Sequence, residues 1–505
     1  MRFLDLAIVA IYLGGVVAAG LACRGKENSV DAYFTGHGVL PGRLGTIMIG
    51  LSIAATLFSG VSLVAYVSTA FHDGISILMG LVCLPLAWAI LSCWFLPRYL
   101  AGNWNHPYEI IERRFGSVTR LCLSGMFVLL RIVWMGVLIY TPTLIVMGAA
   151  GLGPGWFWPI VIATGFSSTI YTVLGGIRGV IVTDAIQFIV ILGGILFILV
   201  SVLLKLDLSV SAVLGELRQQ GKLTLFDFSL DPTRSFTFWT VIFGVSVSNL
   251  GSYLADQMSL QRYLASASPK EAQRAFAVNV WSAAVVVIAL VLVGLLLAVW
   301  YVRHPDPNRP AEPDLVLAYF IAKELPVGMS GLLIAAILAA TMSSMTSGIN
   351  ALAGALTNDW LPRFGRGRTP RELYRFARRA SLAIGLVSTL AAGLASHFGS
   401  LMVSSFVVLG AFLGPMLACM LFAVSRLAVR PSLVLAGLAA GVLTGWTMTA
   451  TPVSGLWVPP VSFFIASLVP LGGWLAGLKA PVAGAGLAAA AVFPQPQPNP
   501  YHDSG

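Results

Sequence analysis

The feature that most constrains this chain is a series of apolar segments, each long enough to cross a bilayer as a helix. Apolar residues make up 57% of the 505 residues and charged residues only 10%, too little charge for the surface of a soluble chain of this length. We therefore predict an all-α polytopic membrane protein with about thirteen transmembrane helices. The predicted spans are residues 3–22, 44–70, 76–98, 120–149, 157–174, 179–204, 237–260, 275–302, 327–356, 376–397, 400–425, 432–450 and 457–478.

Lysines and arginines give these spans an orientation. With the N-terminus outside and the C-terminus in the cytoplasm, 21 of the 30 basic residues fall in cytoplasmic segments and 8 in outside segments. The net charge of +10 is then explained by contact with anionic lipid, and no nucleic-acid partner is expected. The arginine-rich stretch 363–379 is interpreted as a short loop between spans. We predict a multi-pass protein of the cell membrane.

The spans predict a single transmembrane domain, 1–478, with its core at about 44–425. The tail 479–505 is rich in Ala, Gly and Pro and is expected to be a disordered cytoplasmic segment. Two predicted outside loops, 205–236 and 303–326, are long enough to hold short helices or to act as lids. Five scattered cysteines and six histidines, mostly in loops, form no metal-type or catalytic pattern, so we do not expect an enzyme.

One stretch of the ninth span, A-A-T-M-S-S-M-T-S-G-I-N at 339–350, turns an apolar helix into a row of hydroxyls. At about 100° per residue, its polar side chains fall on one face roughly 160° wide. They are Ser343, Ser344, Thr346, Ser347 and Asn350. A dehydrated alkali cation would suit this stripe, since hard cations take oxygen ligands. Close helix packing through interhelical hydrogen bonds is the alternative.

Three ionisable residues inside spans are functional candidates, because a charge is expensive at membrane depth. Asp184 has capping-box spacing with Gln187, so it is either a helix cap or a functional carboxylate. Asp256 lies near a predicted cytoplasmic end, where we expect a structural role such as pairing with a loop arginine. Arg131 lies about 16 Å into its span and either pairs with an acidic group or holds an anionic substrate.

Two spans contain small and polar residues that favour an interruption of the helix. The second span has Thr56, Ser59, Gly60 and Ser62 at its middle, and the seventh has Gly244, Asn249, Gly251 and Ser252. Four spans separate the two, and interrupted helices at matching positions of two halves indicate a transporter's binding site. The alternative is that these are ordinary membrane helices, in which Gly and Ser are common.

The sequence resembles the sodium:solute symporters, a family that includes the sodium/glucose, proline, iodide, monocarboxylate and sialic-acid transporters. The matching stretches are H-P-Y-E-I-I-E-R-R-F-G-S-V-T-R at 106–120, I-Y-T-P-T-L at 139–144, Y-T-V-L-G-G-I-R-G-V-I-V-T-D-A-I-Q at 171–187, D-Q-M-S-L-Q-R-Y-L-A-S-A-S-P-K-E-A-Q-R-A at 256–275 and L-A-A-T-M-S-S-M-T-S-G-I-N-A-L-A at 338–353. They occur in the family's order. The resemblance implies the leucine-transporter fold, with two five-helix inverted repeats in spans 2–11 and one extra helix before them.

The resemblance also implies sodium as the coupling ion, at one site or two. The ligands of the first site would be carbonyls and hydroxyls of Ala54, Leu57, Ala340, Ser343 and Ser344. The resemblance to a subset of family members implies a second sodium site, whose ligands include the Asp of the T-D motif. Here those ligands would be Asp184, Ser343, Thr346 and Ser347.

The resemblance constrains the substrate less closely. The Glu-Gln pair of the sugar-transporting members corresponds here to Gly60 and Val61, which argues against a hexose. The segments at 55–64 and 139–144 resemble the iodide, monocarboxylate and multivitamin branch. The candidate substrate-binding residues are Phe58, Ser59, Arg131, Tyr140, Asn249, Ser252 and Tyr253. The arginine fork suits a carboxylate, although a structural role is equally open.

The expected function is sodium-coupled import of a small organic solute by alternating access, with the solute, sodium and the lipid bilayer as partners. One alternative is a proton-coupled or sodium-independent carrier of the same fold. A membrane solute sensor is the other alternative, but it would need a signalling domain that the short predicted tail does not supply.

Overall fold

The computed structural model describes residues 3–24, 29–36, 40–102, 104–326, 328–364, 368–394 and 401–478, and within these residues each of the thirteen predicted segments contains helix. The first half contains α1 (Phe3–Ala22), α2 (Val30–Phe34), α3 (Gly42–Leu57), α4 (Gly60–Asp73), α5 (74–100), α6 (Glu109–Ala150), α7 (Phe157–Leu206) and α8 (Val210–Gln219). The second half contains α9 (Thr240–Leu254), α10 (Gln257–Leu264), α11 (Pro269–Arg303), α12 (Val316–Glu324), α13 (Met329–Ala355), α14 (Pro370–Ala391), α15 (Leu401–Val424), α16 (Pro431–Met448) and α17 (Val458–Leu475).

Within the described residues, nine helical stretches are long and apolar enough to cross a membrane. This count is lower than thirteen partly because Pro154–Leu206, a run of 53 residues, holds two predicted spans joined at Gly176. Gly176 has a φ of 55°, which favours glycine, and a Cβ there would lie 2.9 Å from the Tyr33 ring. The number of spans stays a prediction. The predicted tail 479–505 and residues 365–367 lie outside the described residues.

The second predicted span is broken at its middle, in agreement with its Ser and Gly content. α3 ends at Leu57, and Phe58 and Ser59 are extended, with ψ angles of 93° and 170°. α4 begins at Gly60, where the Ser59 hydroxyl accepts a hydrogen bond from the Ser62 amide at 3.3 Å. The break leaves carbonyls at the end of α3 available to groups from other helices.

The seventh predicted span is also broken, but a few residues later than its glycines. α9 ends at Leu254, and the Asp256 carboxylate caps α10 by accepting a hydrogen bond from the Met258 amide at 2.9 Å. Gly251 stays helical, and a Cβ there would lie 3.0 Å from the Leu413 side chain. This glycine therefore serves close packing between helices, while the aspartate makes the break.

The helices that carry the candidate site pack around α7 and α13. α13 lies along α7, α11 lies along α3, and α1 packs against both α7 and α13. Gly50 on α3 lies where a Cβ would come within 2.4 Å of the Ala275 carbonyl of α11. The Asp5 carboxylate of α1 accepts hydrogen bonds from the Gly328 and Gly331 amides at 2.8 and 3.0 Å. The extra first helix thereby caps the start of the helix that bears the hydroxyl stripe.

The remaining helices complete the frame of the site. α15, α16 and α17 pack against one another, and α15 also contacts α6 and α9. The two long predicted loops each hold a short helix, α8 and α12, as expected from their length.

Candidate functional site

The polar stripe of α13 is enclosed by protein, and its five side chains are at most 2% exposed. The Ser343 hydroxyl donates to the Ala55 carbonyl at 2.9 Å and to the Ala340 carbonyl at 3.1 Å. The Ser344 hydroxyl donates to the Thr56 carbonyl at 3.0 Å. The first two hydroxyls of the stripe therefore meet the last turn of α3, at its break.

The two other predicted ligands of the first sodium site lie in that same turn. The Ala54 carbonyl accepts a hydrogen bond from the Phe58 amide at 3.0 Å, and the Leu57 carbonyl accepts one from the Ser62 hydroxyl at 3.5 Å. Carbonyl and hydroxyl oxygens of α3 and α13 thus lie together at the break, although the α3 carbonyls that bond the stripe are those of Ala55 and Thr56 and not the predicted ones. This donor set is chemically suited to a hard monovalent cation.

Asp184 lies inside α7, with no exposed surface. The interpretation as a helix cap is wrong, because the interruption of α7 falls earlier, at Gly176. One oxygen of Asp184 accepts hydrogen bonds from the Ser52 hydroxyl at 2.7 Å and the Ser347 hydroxyl at 3.3 Å. The other accepts one from the Thr346 hydroxyl at 3.5 Å. The carboxylate therefore contacts the second part of the stripe directly; a sodium ion shared among these residues stays a prediction.

Arg262 is the cation at this carboxylate, and the sequence had predicted no role for it in the site. Its guanidinium has no exposed surface and lies 2.8 Å from Asp184. It also donates to the Ser52 hydroxyl at 2.8 Å, to the Met258 carbonyl at 2.6 Å and to the Ser347 hydroxyl. Among the basic residues assigned to cytoplasmic segments, Arg262 was expected in a loop, but it lies in α10 and has no exposed surface.

α10 is buried along its whole length, although four of its eight residues, Q-M-S-L-Q-R-Y-L, are polar or charged. The side-chain oxygen of its Gln261 accepts a hydrogen bond from the side-chain NH₂ group of Asn350 at 3.2 Å, so the last residue of the stripe also has a partner. Gln257 donates to the Asp359 carboxylate at 3.2 Å. The sequence signal was a segment too polar for an ordinary span and too apolar for a loop, directly after a capping aspartate.

Arg131 of α6 forms an ion pair with Asp256, and both side chains are buried. Asp256 was expected to pair with an arginine of a loop, and this expectation is wrong, because its partner Arg131 lies within a span. Of the two roles predicted for Arg131, the structure shows the pairing with an acidic group, which is Asp256. The same guanidinium also borders a cavity between the broken helices.

That cavity has a volume of about 170 Å³ and is bordered by both broken helices, with α5, α6 and α11 around them. Six predicted substrate residues line it, namely Phe58, Ser59, Arg131, Asn249, Ser252 and Tyr253. Tyr140 does not, and its ring packs against Phe157 with centroids 5.8 Å apart. On α6 the lining residues are Arg131, Trp134 and Leu138, and Tyr140 falls off that face.

Other cavity residues were absent from the predictions. They are Ser62, Tyr66, Trp134 and Ser248, among others, and Ser344 of the stripe also reaches the cavity. Trp134 follows Arg131 by one helical turn, a spacing that could have indicated it. Within the described part of the chain, no group of three or more His, Cys, Asp or Glu side chains is placed to hold a metal ion.

The chain is similar in sequence to known sodium-coupled transporters. The sequence profile of the sodium:solute symporter family matches residues 33–441. The human sodium/iodide cotransporter is 30% identical over 429 residues, which cover 84% of this chain and 65% of that protein. The sodium/sialic acid symporter of Proteus mirabilis is 27% identical over 400 residues, 77% of this chain and 78% of that protein. The chain thus spans just under two thirds of the length of the human relative.

A solved structure of a Na⁺-coupled sialic acid symporter, substrate-bound and outward-open, matches this fold with a TM-score of 0.86. It is 23% identical and covers 95% of this chain and 99% of its own. At this identity the likeness concerns the fold. It confirms the all-α fold class with the leucine-transporter core that the sequence predicted.

Proposed function

Because the chain belongs to the sodium:solute symporter family, we propose that it imports a small anionic organic solute together with sodium by alternating access. One observation carries this proposal. Ser344 bonds the Thr56 carbonyl at the break of α3 and also lines the cavity between the broken helices. A single residue therefore touches both the proposed ion position and the space for the solute.

The first sodium position lies between the end of α3 and the start of the stripe. Its ligands would be the carbonyls of Ala54, Leu57 and Ala340 and the hydroxyls of Ser343 and Ser344. Both hydroxyls now donate to carbonyls of the same two helices. With sodium bound, each hydroxyl would turn a lone pair to the ion, so ion binding would replace direct helix–helix hydrogen bonds by shared coordination.

The second position lies at Asp184, with Thr346 and Ser347 beside it. Arg262 supplies the counter-charge that a buried carboxylate needs. A sodium ion here would use oxygens that Arg262 now contacts. We therefore infer that Arg262 and a second sodium ion compete for this carboxylate.

The solute is proposed to be an anion because Arg131, which is also paired with Asp256, is the charged side chain bordering the cavity, and the other polar side chains of the lining are uncharged. A guanidinium can hold a carboxylate by two parallel hydrogen bonds. Two relatives are described as transporting iodide and sialic acid, and both solutes are anions in water at neutral pH. Gly60 lies where sugar transporters have an acidic residue, so a hexose is not the proposed solute.

Coupling to one sodium ion is energetically sufficient for uphill import. One inward charge gains roughly 2.3 kcal/mol per 100 mV of membrane potential. A tenfold sodium gradient adds about 1.4 kcal/mol. If the solute carries one negative charge, import with one sodium ion moves no net charge, and the sodium gradient alone sustains about a tenfold solute gradient. Import with two sodium ions moves one net charge inward, and the roughly 5 kcal/mol then available at 100 mV sustains a gradient on the order of several thousandfold.

The proposed function is tested by thermal stabilisation of the purified protein against small carboxylates, sugars and amino acids, with sodium and with choline. We expect stabilisation by one class of carboxylate, and only when sodium is present. Uptake of that solute into vesicles should then follow an inward sodium gradient. Uptake that follows a proton gradient and ignores sodium would contradict the proposal and favour a proton-coupled carrier.

A further inference from the structure

In the loop segment 223–231, between α8 and α9, residues 226–230 expose their apolar side chains and partly cover their polar ones, the reverse of what is expected in water. Phe226, Phe228 and Leu230 are 53%, 60% and 81% exposed. The residues between them, Asp227 and Ser229, are partly covered. Alternation with a period of two is typical of an extended segment with two different faces. A segment facing water would expose the aspartate and the serine instead.

The covered face of this segment is held in place by polar contacts. The Asp227 carboxylate pairs with Arg234 at 2.9 Å and accepts a hydrogen bond from the Ser229 amide at 3.0 Å. The Asp227 carbonyl accepts a hydrogen bond from the Phe238 amide at 2.7 Å. These contacts determine which side of the segment points outward, so the exposed aromatic face is a built feature of the fold.

The exposed aromatic face continues onto the ends of two membrane helices. Ring centroids lie 5.0 Å apart for Phe228 and Phe238, and 5.1 Å apart for Phe238 and Trp239. The series goes on from Trp239 to Phe243 at 6.4 Å and from Phe243 to Trp457 at 6.5 Å. Trp239 comes directly before α9 and Trp457 directly before α17. Tryptophans at helix ends are typical of the membrane–water interface.

Hydrogen bonds hold the segment beside those helix ends, at the same level along the membrane normal. The Ser454 amide, near the start of α17, donates to the Pro232 carbonyl at 2.9 Å. The Ser454 and Ser235 hydroxyls are hydrogen-bonded at 2.9 Å. Asp231 and Thr233 form an exposed polar turn beside the aromatic face. The segment thus passes from an apolar face to a polar turn within a few residues, as a chain at an interface does.

We propose that segment 223–231 is a lipid anchor, lying in the interface of the bilayer with Phe226, Phe228 and Leu230 inserted among the lipids. Lipid is the occupant that fits because the face is continuous with the ends of α9 and α17. The segment lies at the interface and not in the hydrocarbon core. Its irregular backbone leaves N–H and C=O groups that water can satisfy at the interface but that hydrocarbon cannot.

The anchor is linked to a helix that lines the cavity. The Lys222 carbonyl accepts a hydrogen bond from the Ile75 amide at 3.0 Å, and the Lys222 ammonium donates to the Phe71 carbonyl at 2.6 Å. Phe71 belongs to α4, which follows the first break. The anchor therefore holds the end of α4 near the membrane surface.

The test is electron paramagnetic resonance on the full chain in vesicles, with a nitroxide attached after Phe228→Cys or, separately, after Leu230→Cys. The background variant has Cys23, Cys93 and Cys122 replaced by serine, since Cys83 and Cys419 are buried. Thr233→Cys in the polar turn is the matched control. Sodium-dependent thermal stabilisation compared with the background checks that each variant is folded.

We expect labels at 228 and 230 to collide more often with oxygen, which concentrates in lipid, than with a water-soluble nickel complex. The label at 233 should show the reverse order. More frequent collisions with nickel at 228 and 230 would overturn the proposal. Strong dipolar broadening between labels on two molecules would also overturn it, because a second copy of the chain would then cover this face.

Discussion

Arg262 and Asp184 form an ion pair at 2.8 Å, with no exposed surface on either side chain. The same guanidinium bonds Ser52 of α3 and Ser347 of α13. One side chain of α10 therefore connects the four helices that surround both proposed ion positions. The break at Asp256 is what allows α10 to turn inward and deliver it.

Arg262→Gln should destabilise the protein strongly, because it leaves the Asp184 carboxylate buried without a counter-charge. Removing one partner of a buried ion pair typically costs about 3–5 kcal/mol of folding free energy. Thermal unfolding with and without sodium measures the effect. If a second sodium ion binds at Asp184, sodium should stabilise this variant more than it stabilises the original protein.

The neutral double variant Asp184→Asn with Arg262→Met is the control for that experiment. It removes both charges, so it should recover much of the lost stability. It should also lose the additional sodium effect while keeping the stabilisation due to the first position. An equal response of Arg262→Gln and the double variant to sodium would show that Asp184 binds no ion.

Ser343→Ala combined with Ser344→Ala should raise the sodium concentration that uptake requires. Each hydroxyl lies at the junction of α13 with the broken end of α3, and loss of both removes two of five proposed ligands. We expect at least a ~10-fold rise in the sodium concentration for half-maximal uptake, equivalent to about 1.4 kcal/mol. Thr357→Ala is a matched control, since its buried hydroxyl bonds only its own helix, at the Ala353 carbonyl.

Arg131→Lys should weaken binding of the anionic solute while sodium alone still stabilises the protein. Lysine keeps the positive charge beside Asp256 but cannot form two parallel hydrogen bonds to a carboxylate. A loss of about tenfold in solute affinity is expected. Arg114→Lys serves as a control, because Arg114 bonds the Ser425 and Leu427 carbonyls away from the cavity. Unchanged solute affinity in Arg131→Lys would assign Arg131 a purely structural role.

Acidification should destabilise the protein through His106, in the connection between α5 and α6. Burial lowers the pKa of His106 below its usual 6.5, and the nearby Arg120 guanidinium lowers the pKa further. The unfolded chain therefore takes up a proton first as the pH falls through 6.5, and the folded state loses stability below that pH. His106→Gln should flatten this part of a thermal-stability profile measured between about pH 5 and 8. An unchanged profile would contradict the assignment.

Much of the fold was predictable because bilayer physics leaves a clear pattern in sequence. A run of apolar residues must be helical where no water can satisfy the backbone, and the described part of each of the thirteen predicted segments contains helix. The first break was also predictable, since Ser59 supplies a cap and Gly60 admits close contact with Pro142, 2.6 Å from the position of a Cβ. The second break was predicted too early, because Gly251 serves packing while Asp256 caps the new helix.

By itself, the sequence determined the fold class, the hydroxyl stripe and the membrane setting, because these depend on local periodicity and on the solvent. Only the tertiary structure decided which charges are partners. Asp184 and Arg262 are 78 residues apart, and Arg131 and Asp256 lie on different helices. The hydrophobic pattern specifies which residues are buried but not which of them are in contact. These contacts depend on where α9 ends and how α10 is oriented. They place one ion pair beside the proposed ion positions and the other beside the cavity.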